Sequence, residues 1–160
     1  MDQFVSHYTN RMDAKGRVSV PAPFRAVLAK DGFDGIYCYP SLDADALDCG
    51  GNRLVAKITS LLEGLDPYSD EHDLLSTALY GASEVLRLDP EGRIVLTDKL
   101  RTHAGIDGEV VFVGLGDKFQ MWRPERFHAR FSEAREKVRE LRKLLGASHR
   151  RQGGAAEARE

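Results

Sequence analysis

The sequence has little cysteine and no long apolar run. Its 160 residues include two cysteines, Cys38 and Cys49, whose spacing matches neither a CxxC metal knuckle nor a disulfide framework. The most apolar stretch, residues 110–115, is far shorter than the roughly 20 residues that cross a bilayer. The start, Met1-Asp2-Gln3, lacks the basic region of a signal peptide. These absences disfavour secreted and membrane classes and predict a cytoplasmic protein.

Catalytic motifs are also missing. The five histidines show no HExxH motif and no His/Cys metal spacing, and the sequence contains neither GxSxG nor a P-loop. Gly114-Leu-Gly116 lacks the third glycine of a dinucleotide fingerprint and is interpreted as a turn. We therefore expect no enzyme activity, no metal, no cofactor and no small-molecule substrate. Cys38 lies in an apolar run, which favours a buried structural role over redox sensing.

Charge is almost balanced overall but is unevenly distributed. Lys and Arg number 23 and Asp and Glu number 25, for a net charge of -2. The net charges of successive segments are +3 for residues 1–30, -8 for 31–80, -2 for 81–116 and +5 for 117–160. A basic start before an acidic middle can present a local anion-binding face. The alternative is that these charges are scattered over solvated surfaces.

An internal repeat relates the two halves. Residues 11–25 match residues 87–101 at an offset of 76, with five of fifteen positions identical. Four further positions exchange one apolar residue for another, and the alignment continues without a gap through Asp31-Gly32 and Asp107-Gly108. Chance explains such a match poorly, so the chain contains a duplicated unit.

Each copy carries an Asp-x-x-Gly turn between two predicted strands. The aspartate can accept hydrogen bonds from the amides of the turn, and the glycine tolerates the left-handed backbone that follows a type I turn. The predicted turn-forming residues are Asp13, Gly16, Asp89 and Gly92. The predicted strands are residues 4–12 and 17–20 in the first copy, and 83–88 and 93–96 in the second. A short helical turn is expected after each second strand.

The repeat predicts one shared core. Two short hairpins bury too little surface alone, so we expect them to interleave around a pseudo-twofold axis in a mainly β fold with α (α+β). Helices are predicted over residues 53–62 and 70–80, a strand over 118–123, and an amphipathic helix from Pro124 that Gly146 ends. The expected domains are 4–50 (first repeat), 51–82 (helical connector), 83–126 (second repeat), 127–146 (C-terminal helix) and 147–160 (disordered tail).

Four segments carry a family resemblance. They are residues 13–25, 79–84, 89–96 and 114–122. With these motifs the chain resembles the MraZ family, bacterial regulators built from two SpoVT-AbrB (swapped-hairpin) repeats, over about residues 4–130. One departure follows Phe4, where many relatives have Arg-Gly and this chain has Val5-Ser6.

The resemblance implies a sequence-specific transcriptional regulator at the nucleoid. Members typically repress the division and cell-wall gene cluster that contains their own gene. They form ring-like homo-oligomers that bind short G-rich direct repeats in double-stranded DNA. The alternatives are an AbrB-like antitoxin or a protein-interaction scaffold. Antitoxins of this type usually carry one hairpin copy, so the duplicated core argues against that role.

The first turn is the predicted DNA contact. Arg17 leaves the turn on a rigid hairpin, where its guanidinium can bind a phosphate or guanine O6 and N7, and the resemblance assigns the matching arginine this role. Lys15 lies at the tip and suits a phosphate contact. The second copy has Glu91 there, so we expect copy one to bind DNA and copy two to complete the fold or an interface. The structural alternative for the matching Arg93 is an ion pair with Asp89.

Arg11 and Arg25 flank the first turn and extend the predicted basic strip. The resemblance matches Arg25 to an arginine near the DNA face of AbrB-type proteins. Both residues recur in the second copy as Arg87 and Arg101, so structural ion pairs remain an equal alternative. In the C-terminal helix, bases alternate with glutamates, which is typical of a solvated face above an apolar stripe.

Overall fold

The computed structural model describes residues 2–157, and side chains over residues 2–148. The strands are β1 His7–Arg11, β2 Arg17–Ser19, β3 Ile36–Pro40, β4 Leu47–Gly50, β5 Glu84–Leu86, β6 Arg93–Val95, β7 Glu109–Gly114 and β8 Phe119–Trp122. The α-helices are α1 Ala22–Asp31, α2 Asn52–Glu63, α3 Asp70–Ser76, α4 Asp98–Ala104 and α5 Pro124–Glu157. A π-helix spans Thr77–Gly81. One compact unit ends at Pro124 and a second begins at Glu125.

The two repeats exchange strands. A six-stranded antiparallel sheet has the order β1-β7-β8-β4-β3-β5, and β2 pairs with β6 in a separate two-stranded ribbon. Strand β1 of the first repeat therefore pairs with β7 of the second, and β5 of the second pairs with β3 of the first. The α+β fold class is confirmed, and the strands of the two halves interleave.

Apolar residues from both repeats form the main core. Val18 and Ile94 face each other at the centre of the ribbon and are each 1% exposed. Phe4 packs against Phe24 and Phe119, with ring centroids 5.4 and 5.0 Å away. A second cluster forms under α2 and the π-helix. It contains Tyr39, Leu54, Ile58, Leu62 and Leu79.

The N-terminal segment crosses the end of β7. Phe4 exchanges two backbone hydrogen bonds of 2.8 Å with Gly116, and the Gly114 amide donates to the Ser6 carbonyl at 2.8 Å. Ser6 has φ 70°, the only positive φ of a non-glycine residue in the part of the chain that the structure describes. A left-handed residue interrupts a strand. The prediction of one continuous strand over residues 4–12 is therefore wrong, because pairing restarts only at β1.

Several helix boundaries differ from the prediction. The two short helical turns are full helices, α1 and α4, ended by Gly32 at φ 78° and Gly105 at φ 64°. The helix expected over residues 70–80 ends at Ser76 and continues as the π-helix. A helix over residues 53–62 is confirmed as α2.

The prediction that Gly146 ends the last helix is wrong, since α5 continues to Glu157. A glycine in an exposed helix interior costs only about 1 kcal/mol, and strong helix formers surround this one. Residues 147–157 of the expected disordered tail are thus helical, and 158–160 lie outside the described residues. The other predicted domain boundaries stay predictions.

A buried carboxylate links the two repeats. Asp48 in β4 accepts hydrogen bonds from Ser41 Oγ at 2.7 Å, Lys118 Nζ at 2.9 Å and Gln120 Nε2 at 2.8 Å. Burial by itself raises the pKa of Asp48, but the hydrogen bonds from Lys118, Ser41 and Gln120 outweigh it and hold the pKa below its usual value. The ionised carboxylate therefore belongs to the folded structure.

The two cysteines lie opposite each other. Cys38 in β3 and Cys49 in β4 are cross-strand neighbours, fully buried as free thiols with their Sγ atoms 3.5 Å apart. Burial raises the pKa of Cys49 well above its ordinary value, which keeps it a thiol. The buried position predicted for Cys38 is confirmed.

Candidate nucleic-acid interface

The first Asp-x-x-Gly turn is closed by its own aspartate. Asp13 Oδ1 accepts from the amides of Lys15 and Arg17, each at 2.9 Å, and Asp13 Oδ2 accepts from Arg17 Nε at 2.7 Å. The Gly16 amide donates to the Asp13 carbonyl at 3.0 Å, and Gly16 has φ 82°. The predicted turn chemistry is confirmed, and the turn holds the Arg17 guanidinium in a fixed direction.

The second turn repeats this arrangement. Asp89 Oδ1 accepts from the amides of Glu91 and Arg93 at 2.8 and 2.9 Å, and Asp89 Oδ2 accepts from Arg93 Nε at 2.8 Å. Gly92 donates to the Asp89 carbonyl at 2.9 Å and has φ 78°. The ion pair with Asp89, which the sequence offers as the structural alternative for Arg93, is present. Because Arg17 makes the same pair, this contact does not distinguish the two copies.

Both turn aspartates have a lowered pKa. Backbone hydrogen bonds from Arg17 and Arg93 are the main causes at Asp13 and Asp89, and the side-chain bonds from the same arginines add to them. A carboxylate whose pKa is lower in the folded state stabilises the fold above its unfolded pKa of about 3.9. That stabilisation is lost as the pH falls from this value through the lowered pKa.

We predict that the double variant Asp13→Asn/Asp89→Asn loses part of this acid dependence. Urea unfolding from pH 7 to pH 3 should show a free energy of unfolding that falls less steeply below pH 4 than in the wild type. The control is Asp43→Asn, because Asp43 is exposed and its side chain makes no hydrogen bond with the residues whose side chains the structure describes. Identical acid slopes for wild type and the double variant would contradict the prediction.

The two turns flank one exposed ribbon. In the β2–β6 pair, Arg17 lies opposite Val95 and Ser19 opposite Arg93. Since Val18 and its partner in β6 point into the core, Arg17 and Arg93 both project from the outer face. Diagonal neighbours in such a pair have Cα atoms roughly 7–8 Å apart. Two guanidinium groups thus share one outward face.

The charges around these two arginines differ. Arg93 Nη2 lies 3.5 Å from Glu91 Oε2, so two carboxylates surround that guanidinium, and the pKa of Arg93 is raised chiefly by its bond to Asp89. Within the residues whose side chains are described, the Nη atoms of Arg17 make no hydrogen bond. Exposed Lys15 stands where the second turn has Glu91. The first end of the ribbon is therefore basic and retains donors, whereas the second is neutralised.

Each repeat also contributes an arginine that lies beside the turn of the other repeat. A Cβ at Gly92 would lie 2.7 Å from Arg25 Cζ, and one at Gly16 would lie 3.8 Å from Arg101 Cζ. Arg25 Nε donates to the Val20 carbonyl at 3.1 Å. The structure thus places Arg25 beside the second turn. Sequence reasoning missed this crossing, although the interleaving predicted from the repeat was the signal that could have revealed it.

Arg11 lies at the end of β1, one residue before Met12 and the first turn. It is exposed, and the register places Glu109 of β7 directly opposite. The structure therefore places Arg11, Lys15 and Arg17 around the same turn, between β1 and β2.

The described residues lack the side-chain cluster that a metal site needs. No cluster of three or more His, Cys, Asp or Glu side chains there could hold an ion. None of the helices in that part of the chain has the length and apolar character needed to cross a membrane.

Comparison with known proteins places the chain in a family. A family model described as "MraZ protein, putative antitoxin-like" matches residues 78–144. A protein of Methylocella silvestris called "Transcriptional regulator MraZ" is 62% identical over 149 residues, which cover 93% of this chain and 91% of the relative. The chain belongs to the MraZ family. MraZ relatives of the same name in Azorhizobium caulinodans and Rickettsia rickettsii are 58% and 40% identical, covering 96% and 93% of this chain and 98% and 100% of the relatives.

The MraZ alignments reach beyond the match of the family model. Residues 78–144 hold the second repeat and part of α5, whereas the full relatives cover more than nine-tenths of the chain. The family assignment therefore includes the first turn, where the basic end of the ribbon lies.

Proposed function

We propose that the chain is a sequence-specific DNA-binding transcriptional regulator that reads DNA with the β2–β6 ribbon. The observation that carries this proposal is the basic end of the ribbon, where Arg17 points outward with unused donors beside Lys15. The name "Transcriptional regulator MraZ" of the similar proteins supports the same function.

The ribbon suits the major groove, which admits a two-stranded β-ribbon. The Arg17 Nη groups can bind guanine O6 and N7 in a bidentate manner, which agrees with a G-rich site. Lys15 at the tip and Arg11 beside the turn can bind flanking phosphates, which fix the orientation without reading sequence. We assign Arg25 a supporting role, because it braces the second turn.

One hairpin offers few contacts, so assembly is part of the proposal. Non-specific binding through a few phosphates has a Kd of roughly 10⁻⁴ to 10⁻⁶ M. A ring-like homo-oligomer would present several ribbons to successive direct repeats and gain affinity through effective concentration. Repeats spaced by about 10–10.5 bp would lie on one face of the duplex. We propose that the ring acts at the nucleoid in the cytoplasm and represses the division and cell-wall cluster containing its own gene.

The deciding experiment compares two matched arginine variants. A fluorescent duplex from upstream of the chain's own gene is titrated with wild type, Arg17→Ala and Arg93→Ala at several salt concentrations. Each variant removes the arginine–aspartate ion pair of one turn, and Arg93→Ala also removes the contact to Glu91, so the structural damage is at least as large in the control. We expect Arg17→Ala to weaken specific binding about 10- to 100-fold, the value of one bidentate guanine contact, and Arg93→Ala to have a much smaller effect.

Assembly size is measured in parallel by light scattering. Equal losses for both variants with assembly intact would contradict the assignment to the first turn. No effect of either variant would place the DNA contact elsewhere, and α5 would be tested next. If the wild type binds no promoter DNA but retains a stoichiometric toxin in a pull-down, the antitoxin alternative replaces this proposal.

A further inference from the structure

Helix α5 carries an exposed apolar stripe. Val138, Leu141 and Leu145 are spaced by three and four residues, which places them on one side of a helix. They are 47%, 56% and 62% exposed. Large apolar side chains exposed in a continuous row mark an interaction surface more often than a solvated one.

Cations border this stripe on both sides. At 100° per residue, Arg135 and Arg142 lie along one border, and Lys137, whose Nζ lies 2.9 Å from Glu133 Oε1, lies along the other. The carboxylates occupy the opposite side of the helix. They are Glu133, Glu136 and Glu140. The surface therefore consists of an apolar centre between two basic edges.

A second copy of the same helix fits this surface poorly. Charges at the edges of a helix pair select the partner, and like charges across the pair are unfavourable. If two copies of α5 packed against each other, the cations of one helix would face the cations of the other, whether the helices ran parallel or antiparallel. These cations are Arg135, Lys137 and Arg142. The edges instead require a partner whose exposed apolar residues are surrounded by carboxylates.

The first compact unit of the chain contains a segment of this composition. No Lys or Arg occurs between Lys57 and Arg87, although six acidic residues do. Within that stretch Leu61, Tyr68 and Leu74 are 55%, 96% and 62% exposed. We call residues 61–74, from the last turn of α2 into α3, the acidic segment. Its carboxylates are Glu63, Asp66, Asp70, Glu71 and Asp73.

We infer that α5 of one copy binds the acidic segment of a second copy. The apolar stripe would cover Leu61, Tyr68 and Leu74, and the basic edges would meet the surrounding carboxylates. Such a contact joins two different surfaces head to tail, and a repeated head-to-tail contact closes into a ring when the rotation permits. The inference deepens the ring assembly of the proposed function and rests on it.

Paired charge reversals test the contact. One variant is Arg135→Glu/Arg142→Glu on α5, and the other is Glu63→Arg/Asp73→Arg on the acidic segment. The control is Arg139→Glu/Lys143→Glu, which makes the same charge change on the side of α5 away from the stripe. Circular dichroism checks that every variant is folded, and sedimentation velocity gives the concentration at which half of the chains are assembled.

We expect each reversal alone to raise that concentration at least about 30-fold, because like charges then face each other across the contact. The control should assemble as the wild type does. A 1:1 mixture of the two reversed variants should recover assembly. In the mixture, the reversed α5 of one variant can bind the reversed acidic segment of the other, and the two unchanged surfaces can bind each other. This recovery is specific to a contact between two different surfaces.

Other results would overturn the inference. If the α5 reversal strengthens assembly and the acidic reversal changes nothing, the helix pairs with itself. If both variants assemble normally and the α5 reversal weakens DNA binding, α5 is a DNA contact. A mixture that fails to reassemble, or a wild type that stays monomeric, also rejects it. Because assembly is measured without DNA, a failure of the DNA-binding proposal is recognised separately.

Discussion

Replacing Gly114 by alanine is expected to destabilise the protein by about 3 kcal/mol or more. A Cβ at this position would lie 2.4 Å from the backbone of Phe4 and Val5, closer than atoms can approach. The N-terminal segment would have to move, and Phe4 would lose its place against Phe24 and Phe119. Loss of a buried phenylalanine costs about 3–5 kcal/mol, which sets the size of the effect.

Urea unfolding followed by circular dichroism measures this change. The matched control is Gly81→Ala, where the nearest atom to the new Cβ is Thr77 Cγ2 at 3.6 Å, an ordinary contact. The control should stay within about 0.5 kcal/mol of the wild type. If Gly114→Ala were equally mild, the N-terminal segment would not be held across β7 as described.

Replacing Lys118 by methionine should destabilise the protein by about 3 kcal/mol. Lys118 is the cation nearest to Asp48, whose side chain is 8% exposed. The variant keeps the apolar stem of the lysine but removes its charge, so the carboxylate keeps neutral partners such as Ser41 and Gln120. Removing one member of a buried ion pair typically costs about 3–5 kcal/mol, because the remaining charge is uncompensated.

The control for this variant is Lys57→Met. Lys57 pairs with Asp117, but its side chain is 67% exposed, so the change should cost less than about 1 kcal/mol. Adding Asp48→Asn to Lys118→Met should recover part of the lost stability, since the unpaired charge is then removed. No recovery in the double variant would show that lost packing, and not the charge, causes the effect.

The turns could be predicted from sequence because their chemistry is local. In each Asp-x-x-Gly turn, the aspartate, the amides it binds and the glycine lie within four residues, so spacing alone specifies the contacts. The interleaved core followed from the repeat for a similar reason, since two short hairpins cannot bury enough surface separately.

Longer-range features escaped prediction because nothing local marks them. Arg25 recurs as Arg101, yet only the strand exchange shows that each braces the opposite turn. The end of α5 was misplaced because one glycine is a weak signal against a long run of helix formers. Ser6 adopts a left-handed backbone with φ 70°, at a position where the resemblance gives many relatives a glycine, and nothing in the structure explains the serine.

The strand exchange also affects synthesis on the ribosome. Strand β1 ends at Arg11, but its partner β7 begins only at Glu109. At about 5–20 residues per second, the nascent chain exposes an unpaired first strand for roughly 5–20 seconds before its partner is made. The β2 strand waits similarly for β6. Most of the molecule must therefore emerge before β1 and β2 can pair, and during that interval both strands are open to chaperones and to neighbouring nascent chains.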